Sequence, residues 1–458
     1  MKTMAQKSTA PNQYQLSARR IPMRHFFDTA FKEFSLYDGV RSIPMLTDGL
    51  KPSQRKAIYG TLIRGENAGL IQVERLAAQV AAATDYHHGT GSLAQTIVGM
   101  ANNYAGSNNL NLFIPEGQFG SRLTAESAAH RYIETKLSPW FRALFPKADD
   151  AILEHHEVDG EKIEPKTYAP LLPMVLVNGA QGTGTGHACF IMNYNPDEVR
   201  NACLSALAGK KLKPGTLTPW FNGFSGDVSR NSETGQVVIT GKMEIVNSTT
   251  IKITELPVGT YLDQYKERLH KLEDAEIIKD YEDRSTEQGF EFIISVPRST
   301  TAMDAEELHK KFGLISRDTE NITCWSTEGI LTRYGSPEEI IDIFVKWRVQ
   351  MMEARRQHII ADLTEQIRYA SEVIRFIRFY LANVKVFRDT SKKDLIAILL
   401  ENKFDDYDRL LSMQIWSLTR DRIEELNKKL QDLKNEMDKI MKDTAVEMYR
   451  RELKALSF

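Results

Sequence analysis

Tyr132 follows Arg131 at the end of a glycine-bearing stretch, Glu116-Gly-Gln-Phe-Gly-Ser-Arg, continued by Ala128-Ala-His-Arg-Tyr. A phenol is a weak nucleophile at neutral pH: with an ordinary pKa of ~10, about 0.1% of it is phenolate at pH 7. A tyrosine that attacks therefore needs a cation or a metal beside it. Arg131 offers a permanent charge and a planar guanidinium that pairs with phosphate. The pair suits attack on a phosphodiester. The plain alternative is a packing tyrosine beside a surface arginine.

Tyr86-His87-His88-Gly89 places two imidazoles side by side. They could ligate a metal, act as a general base or contact phosphate, or form a polar surface pair. No further His or Cys stands at zinc-ligand spacing. Arg41-Ser-Ile-Pro44 and Asp48-Gly-Leu-Lys51-Pro52-Ser-Gln54-Arg55-Lys56 form a basic turn that runs into a helix. Donors gathered at a helix start suit phosphate, and a solvated basic face is the alternative. Asn178-Gly-Ala-Gln-Gly182-Thr183-Gly184-Thr-Gly186 follows the apolar run Met174–Val177 but lacks the acidic residue of a dinucleotide site. So many glycines point instead to close backbone approach. Asp406-Tyr-Asp408 reads as a solvated loop, no metal ligands are assigned, and there is no phosphate-binding P-loop.

These residues must be held by helices at the front of the chain. Residues 25–150 read as mainly helical, with one helix starting at Pro52 and another near Ser92. Between 220 and 335 the runs Gln236-Val-Val-Ile-Thr, Thr250-Ile-Lys-Ile-Thr and Phe290-Glu-Phe-Ile-Ile-Ser-Val are strand-like, which predicts a mixed α/β unit. From 337 onward Leu363, Ile367, Ala370, Ile374, Ile377, Leu381 and Val384 recur at heptad spacing. So do Ile423, Leu426, Leu430, Leu433, Met437 and Ile440. One long helix out, a small helical tip and one long helix back is the simplest geometry, with or without a dimer contact at the tip.

The 458 residues suffice for about three domains, and the net charge of −2 excludes a uniformly basic coat. The stretch from Arg19 to Arg64 is nonetheless locally basic, with nine Lys or Arg against four acids. Three scattered cysteines fit a reducing compartment, and no apolar run is long enough to span a membrane. The polar start of the chain has no secretory apolar core and reads as a mobile arm over 1–24.

Taken in order, Arg41-Ser-Ile-Pro, Asp48-Gly-Leu-Lys-Pro-Ser-Gln-Arg-Lys, Tyr86-His-His-Gly, Thr96-Ile-Val, Gly106-Ser-Asn-Asn-Leu-Asn-Leu, Gly117-Gln-Phe-Gly, Arg131-Tyr-Ile, Pro173-Met-Val-Leu-Val-Asn-Gly-Ala and Ile253-Thr-Glu-Leu-Pro resemble the breakage-reunion region of type IIA DNA topoisomerases. They look closer to eukaryotic-type enzymes than to bacterial gyrase, and the short chain is similar to the medium subunits of T-even-like phage topoisomerases. The resemblance implies a multidomain α+β fold, mostly helical. A winged-helix DNA-binding and cleavage domain would span 25–158 and a mixed α/β tower 159–336. A long antiparallel coiled coil would use 337–375 and 423–458, with a helical C-gate that dimerises over 376–422. It implies an ATP-dependent enzyme that breaks both strands of DNA through 5′-phosphotyrosyl links to Tyr132 and passes another duplex through. Arg131, His87 and His88 would assist catalysis, and Arg41, Lys51, Gln54, Arg55, Lys56 and Thr183 would contact DNA. Mg2+ and ATP would be held mainly by a large partner subunit, in a heterotetramer acting on DNA in the cytoplasm, a host's if phage-encoded, with no membrane. The sequence departs from the family at Thr183, where an isoleucine wedge is usual. It departs again at Gly91 and Gln95, which replace the serine and acid that anchor quinolones in bacterial enzymes, and at His130, where other residues are usual. A tyrosine recombinase and a non-catalytic DNA-bridging scaffold are the alternatives. The first lacks an evident His-x-x-Arg box, and the second leaves Arg131–Tyr132 unexplained.

Overall fold

The computed structural model describes residues 22–458 apart from Ser232. The arm expected over 1–24 lies, except for its last three residues, outside the described residues, as do Arg19 and Arg20. A helix runs from Met23 to Ser42, with one wider π turn over Phe27–Phe31. It stops because Pro44 pushes the residue before it to extended backbone; Ile43 has φ −109° and ψ 133°. The next helix, Pro52–Ile63, starts at its proline, and Gln54 Oε1 accepts from the Lys51 amide at 2.8 Å. Helices Val73–Ala83 and Thr90–Ala101 follow. Ile58, Leu76, Val80, Leu93 and Ile97 on their inner faces are fully buried. Each contributes about 1.5–3 kcal/mol of apolar burial, which makes these three helices a rigid frame.

Residues 168–217 complete this first core with Tyr168, Leu172, Val175, Tyr194, Cys203 and Leu217. The domain boundary expected at 158/159 lies within this packing. It falls in the turn of a hairpin, His155–Val158 with Glu161–Pro165, and the segment after it packs on the helices before it. A second core sits on a four-stranded sheet in the order Asp280–Asp283, Phe292–Ser295, Thr250–Glu255, Lys242–Asn247. Helices Leu262–Asp274 and Ala305–Lys311 cover it. A smaller three-stranded sheet, Ile315–Asp318, Val237–Thr240 and Asp227–Arg230, packs separately on Met192 and Phe221. All three strand-like runs expected from the sequence lie in these sheets.

The helix from Pro337 runs unbroken to Ala382, and Arg420–Lys442 packs back along it. Leu363, Ala370, Ile374 and Ile377 are buried on one helix, Leu426 and Leu433 on the other. Leu381 and Val384, last in the first heptad series, are exposed because the helix breaks at Asn383. Short helices between 384 and 417 close a tip core that reaches back to Val373 and forward to Leu426. The return limb expected over 423–458 divides into two helices. A separate final helix, Ala445–Ala455, leaves the arm and joins the first core through Met448, Tyr449 and Leu453, beside Ile340 and Phe344 of the outgoing helix. Arg348 pairs with Asp149 at 2.6 Å and Arg355 with the same carboxylate at 3.6 Å, and Arg355 also pairs with Glu452. The result is a multidomain α+β chain.

Candidate nucleic-acid interface and its tyrosine loop

A cleft of about 730 Å³ opens on the first core and gathers Arg41, Lys51, Lys56, His87, His88 and Thr183, which are distant in sequence. Arg41 is exposed at the end of its helix. Lys51 Nζ donates to the Gln181 carbonyl at 2.7 Å, and burial lowers the Lys51 pKa. Lys56 is held by Glu164 at 2.8 Å and by the Thr84 carbonyl. Arg55, expected to contact DNA, is 5% exposed, beneath the cleft. Its Nε donates to Asp48 Oδ2 at 2.6 Å, and one terminal nitrogen donates to Asp48 Oδ1 and the Leu50 carbonyl, each at 2.9 Å. These bonds use Nε and one terminal nitrogen, so Arg55 frames the turn that presents Lys51. Gln54 likewise caps its helix and lines an adjoining polar groove of about 590 Å³ with Asn108, Asn178 and Asn193.

The glycine run forms a hairpin, Ala180–Gly184 with His187–Ile191, and Thr183 is exposed near its tip. A Cβ on Gly182 would lie 2.0 Å from the Ser42 carbonyl oxygen, so only glycine lets the hairpin close on the preceding helix. Thr185 fixes the other side: its amide and hydroxyl both donate to Asp38 Oδ2 at 2.7 Å. The Thr185 hydroxyl is the main cause of the lowered Asp38 pKa.

Asp85, in left-handed backbone at φ 51°, turns the chain into the two histidines. Its carboxylate lies 3.1 Å from His87 Nε2. His88 Nε2 shares a hydrogen bond with the Tyr37 hydroxyl, and its ring meets Tyr86 edge-on. Burial of the ring, then the charges of Arg41 and His87, lower the His88 pKa below the ordinary imidazole value. Sequence reading missed Tyr37, although its spacing of four from Arg41 on a helix places both on one face. It also missed His156, a further wall residue whose pKa is lowered mainly by burial.

Tyr132 and Arg131 lie elsewhere, outside the wall of this cleft. The segment 116–134 is a loop closed at its base, where Glu116 and Glu134 exchange backbone hydrogen bonds, and again where Ala128 N donates to the Gln118 carbonyl at 2.9 Å. Short strands Ile71–Gln72 and Glu134–Thr135 pair, and Glu74 N donates to the His130 carbonyl at 3.2 Å. The tyrosine is thus fixed at its backbone while its side chain is 72% exposed. The Arg131 guanidinium stands 4.8 Å from the ring centroid, a cation–π contact that keeps the charge beside the phenol.

The DNA gyrase/topoisomerase IV family of A-type subunits matches residues 41–454, nearly the whole described chain. The chain belongs to that family. DNA topoisomerase 2 of Penicillium chrysogenum is 35% identical over 480 residues, covering 95% of this chain and 30% of that protein. DNA topoisomerase 2 of Arabidopsis thaliana is 37% identical over 404 residues, covering 85% and 27%. This gyrase/topoisomerase IV family member therefore spans less than a third of the length of those proteins. Among solved structures, the DNA-binding, cleavage and re-ligation domain of Plasmodium falciparum topoisomerase II superposes with a TM-score of 0.86 at 33% identity, over 94% of this chain and 63% of that one.

Among the described residues no group of three or more His, Cys, Asp or Glu is placed to hold a metal ion. Asp406 of the paired-carboxylate motif is instead 2.6 Å from Arg368 in the tip. No helix among the described residues is long and apolar enough to cross a membrane.

Proposed function

We propose that this chain is the DNA-breaking subunit of a type II topoisomerase and that Tyr132 is its nucleophile. The observation that carries the proposal is an exposed tyrosine on a doubly closed loop, with an arginine held against its ring, in a member of this family. Tyr132 Oη attacks a backbone phosphorus, the bond to the 3′ oxygen breaks, and the DNA 5′ phosphate stays on the tyrosine. The phenol proton leaves to solvent or a base, and the departing oxygen takes up a proton as a 3′ hydroxyl. Arg131 offsets charge that builds on the phosphate oxygens. Double-stranded DNA runs along the cleft and the adjoining polar groove, with Arg41 exposed to it and Lys51, Lys56 and Gln54 holding the walls.

Because Tyr132 lies outside its own chain's cleft, a two-fold pair of chains lets one tyrosine serve a duplex held by His87, His88 and Arg41 of the other. Ile415 and Trp416, 75% and 77% exposed at the tip, support self-association over 376–422. Mg2+ is held mainly, and ATP wholly, by a large partner subunit within a heterotetramer; the chain is similar to phage medium subunits and acts in the cytoplasm, a host's if phage-encoded. Denaturant trapping tests it. With the partner present, DNA becomes linked through its 5′ end, and Tyr132→Phe abolishes the link while DNA affinity stays within twofold. A 3′ link points to a recombinase and none to a scaffold. Adduct persisting in Tyr132→Phe moves the nucleophile elsewhere.

A further inference from the structure

The far end of the tyrosine loop is bolted to the second core. Arg122 Nη1 meets Glu255 Oε1 at 2.5 Å, while Nη2 donates to the Leu256 carbonyl at 2.6 Å and to the Pro257 carbonyl at 3.3 Å. Its guanidinium lies 4.7 Å from the Phe290 ring centroid, and its own carbonyl accepts from Leu262 N at 3.1 Å. Glu255 is 5% exposed and also accepts from the amide and hydroxyl of Ser225, both at 3.1 Å. Next to Arg122, Leu123 packs on the second core. The other end of the same loop belongs to the first core through Ile133 and the Glu116–Glu134 pairing. The Arg131–Tyr132 pair sits between these two anchorages, one in each core.

We infer that Arg122 is a positioning residue for Tyr132, setting the height and tilt of the nucleophile from the second core; this rests on the proposal that Tyr132 attacks DNA. A buried fork with three acceptors and an aromatic face holds direction as well as distance. Lysine keeps the charge but, as a single ammonium, cannot reproduce that fork. A surface tether would have no need of such burial, and a purely structural ion pair would have no need to sit on this loop. Movement between the two cores is passed to the tyrosine through Arg122.

The test uses the chain with its partner subunit on plasmid DNA. With Arg122→Lys, covalent adduct at saturating DNA falls at least ~10-fold, the scale expected when a reacting group is misplaced by a fraction of an ångström. DNA affinity stays within twofold, and amide exchange rises over 117–134 but not over 73–101. Leu123→Ala, which removes only packing, gives a smaller loss of the same kind and serves if Arg122→Lys fails to fold. Adduct that is unchanged, or that falls only in step with the folded fraction, overturns the inference. Wild type without a Tyr132 adduct fails the function proposal instead, so the two failures are separable.

Discussion

The cleft and the tyrosine loop share one core and are built on opposite terms. In the cleft, cations are bound into the protein: Arg55 to Asp48, Lys56 to Glu164, Lys51 to a hairpin carbonyl. Only Arg41 among the proposed DNA-binding cations points outward with no ion pair among the described residues. In the loop, the backbone is pinned and the side chain of Tyr132 is left free. A surface that must fit a long, regular polyanion gains from fixed shape. On the proposed function, a nucleophile that must approach and leave phosphorus gains from a fixed base and an unencumbered tip.

That contrast is most exposed to Asp48→Ala. It leaves Arg55 buried and unpaired, which costs about 3–5 kcal/mol and lowers the thermal midpoint sharply. Tyr132→Phe should leave the midpoint untouched. If Asp48→Ala melts like wild type, the cleft is not framed as described. Next comes Gly182→Ala. The methyl group would meet the Ser42 carbonyl, and relieving the clash costs about 1–3 kcal/mol. The hairpin should lift, and DNA affinity should fall more than adduct per bound DNA. Equal loss in both would blur the division between the regions.

Drug response sharpens the contrast without touching stability. Gly91 and Gln95 are exposed on one face of the helix Thr90–Ala101, and a Cβ at Gly91 meets nothing within 4 Å. Wild type should be poorly poisoned by fluoroquinolones, and Gly91→Ser with Gln95→Glu should raise trapped adduct several-fold at an unchanged melting point. A wild type that is already sensitive would show that these positions do not govern the response. The smallest effect belongs to pH. His88 is held below its ordinary pKa by burial, then Arg41 and His87, so the folded state favours the neutral ring. Its contribution is complete above the unfolded value of ~6.5 and is lost as pH falls through the folded pKa. Arg41→Gln removes one of those causes and should move the His88 titration upward in proton NMR. A downward move would mean that Arg41 does not act on the ring by its charge.

Much of the scaffold was legible because it rests on local rules. Proline at the start of a helix, alternation in the strands and heptad spacing in the arm all depend on near neighbours. Membership of a core does not, and 168–217 joined the first core through contacts that no window along the chain displays. The seat of the last helix was hidden for a related reason: Ala445–Ala455 has a good amphipathic face, but its partner is the root of the long helix. At the site, residue type announced cations without saying what each would hold. The hold of Asp48 on Arg55, seven residues later, did not show because Asp48 looked like part of an exposed turn. Tyr37 was missed because nothing nearby in sequence announced that it would reach His88.

The final helix gives the arm two roots in one block. Arg348 and Arg355 on the way out, Asp149 in the block and Glu452 on the way back are joined by charge. Such an arm behaves as a tuning fork, with both tines set in the same handle, and not as a gate on a single pin. A sideways load at the tip stretches one tine and compresses the other, and both reactions return to the handle that carries Arg41 and His88. A wide swing of the arm must first shear the return helix from its seat beside Ile340 and Phe344.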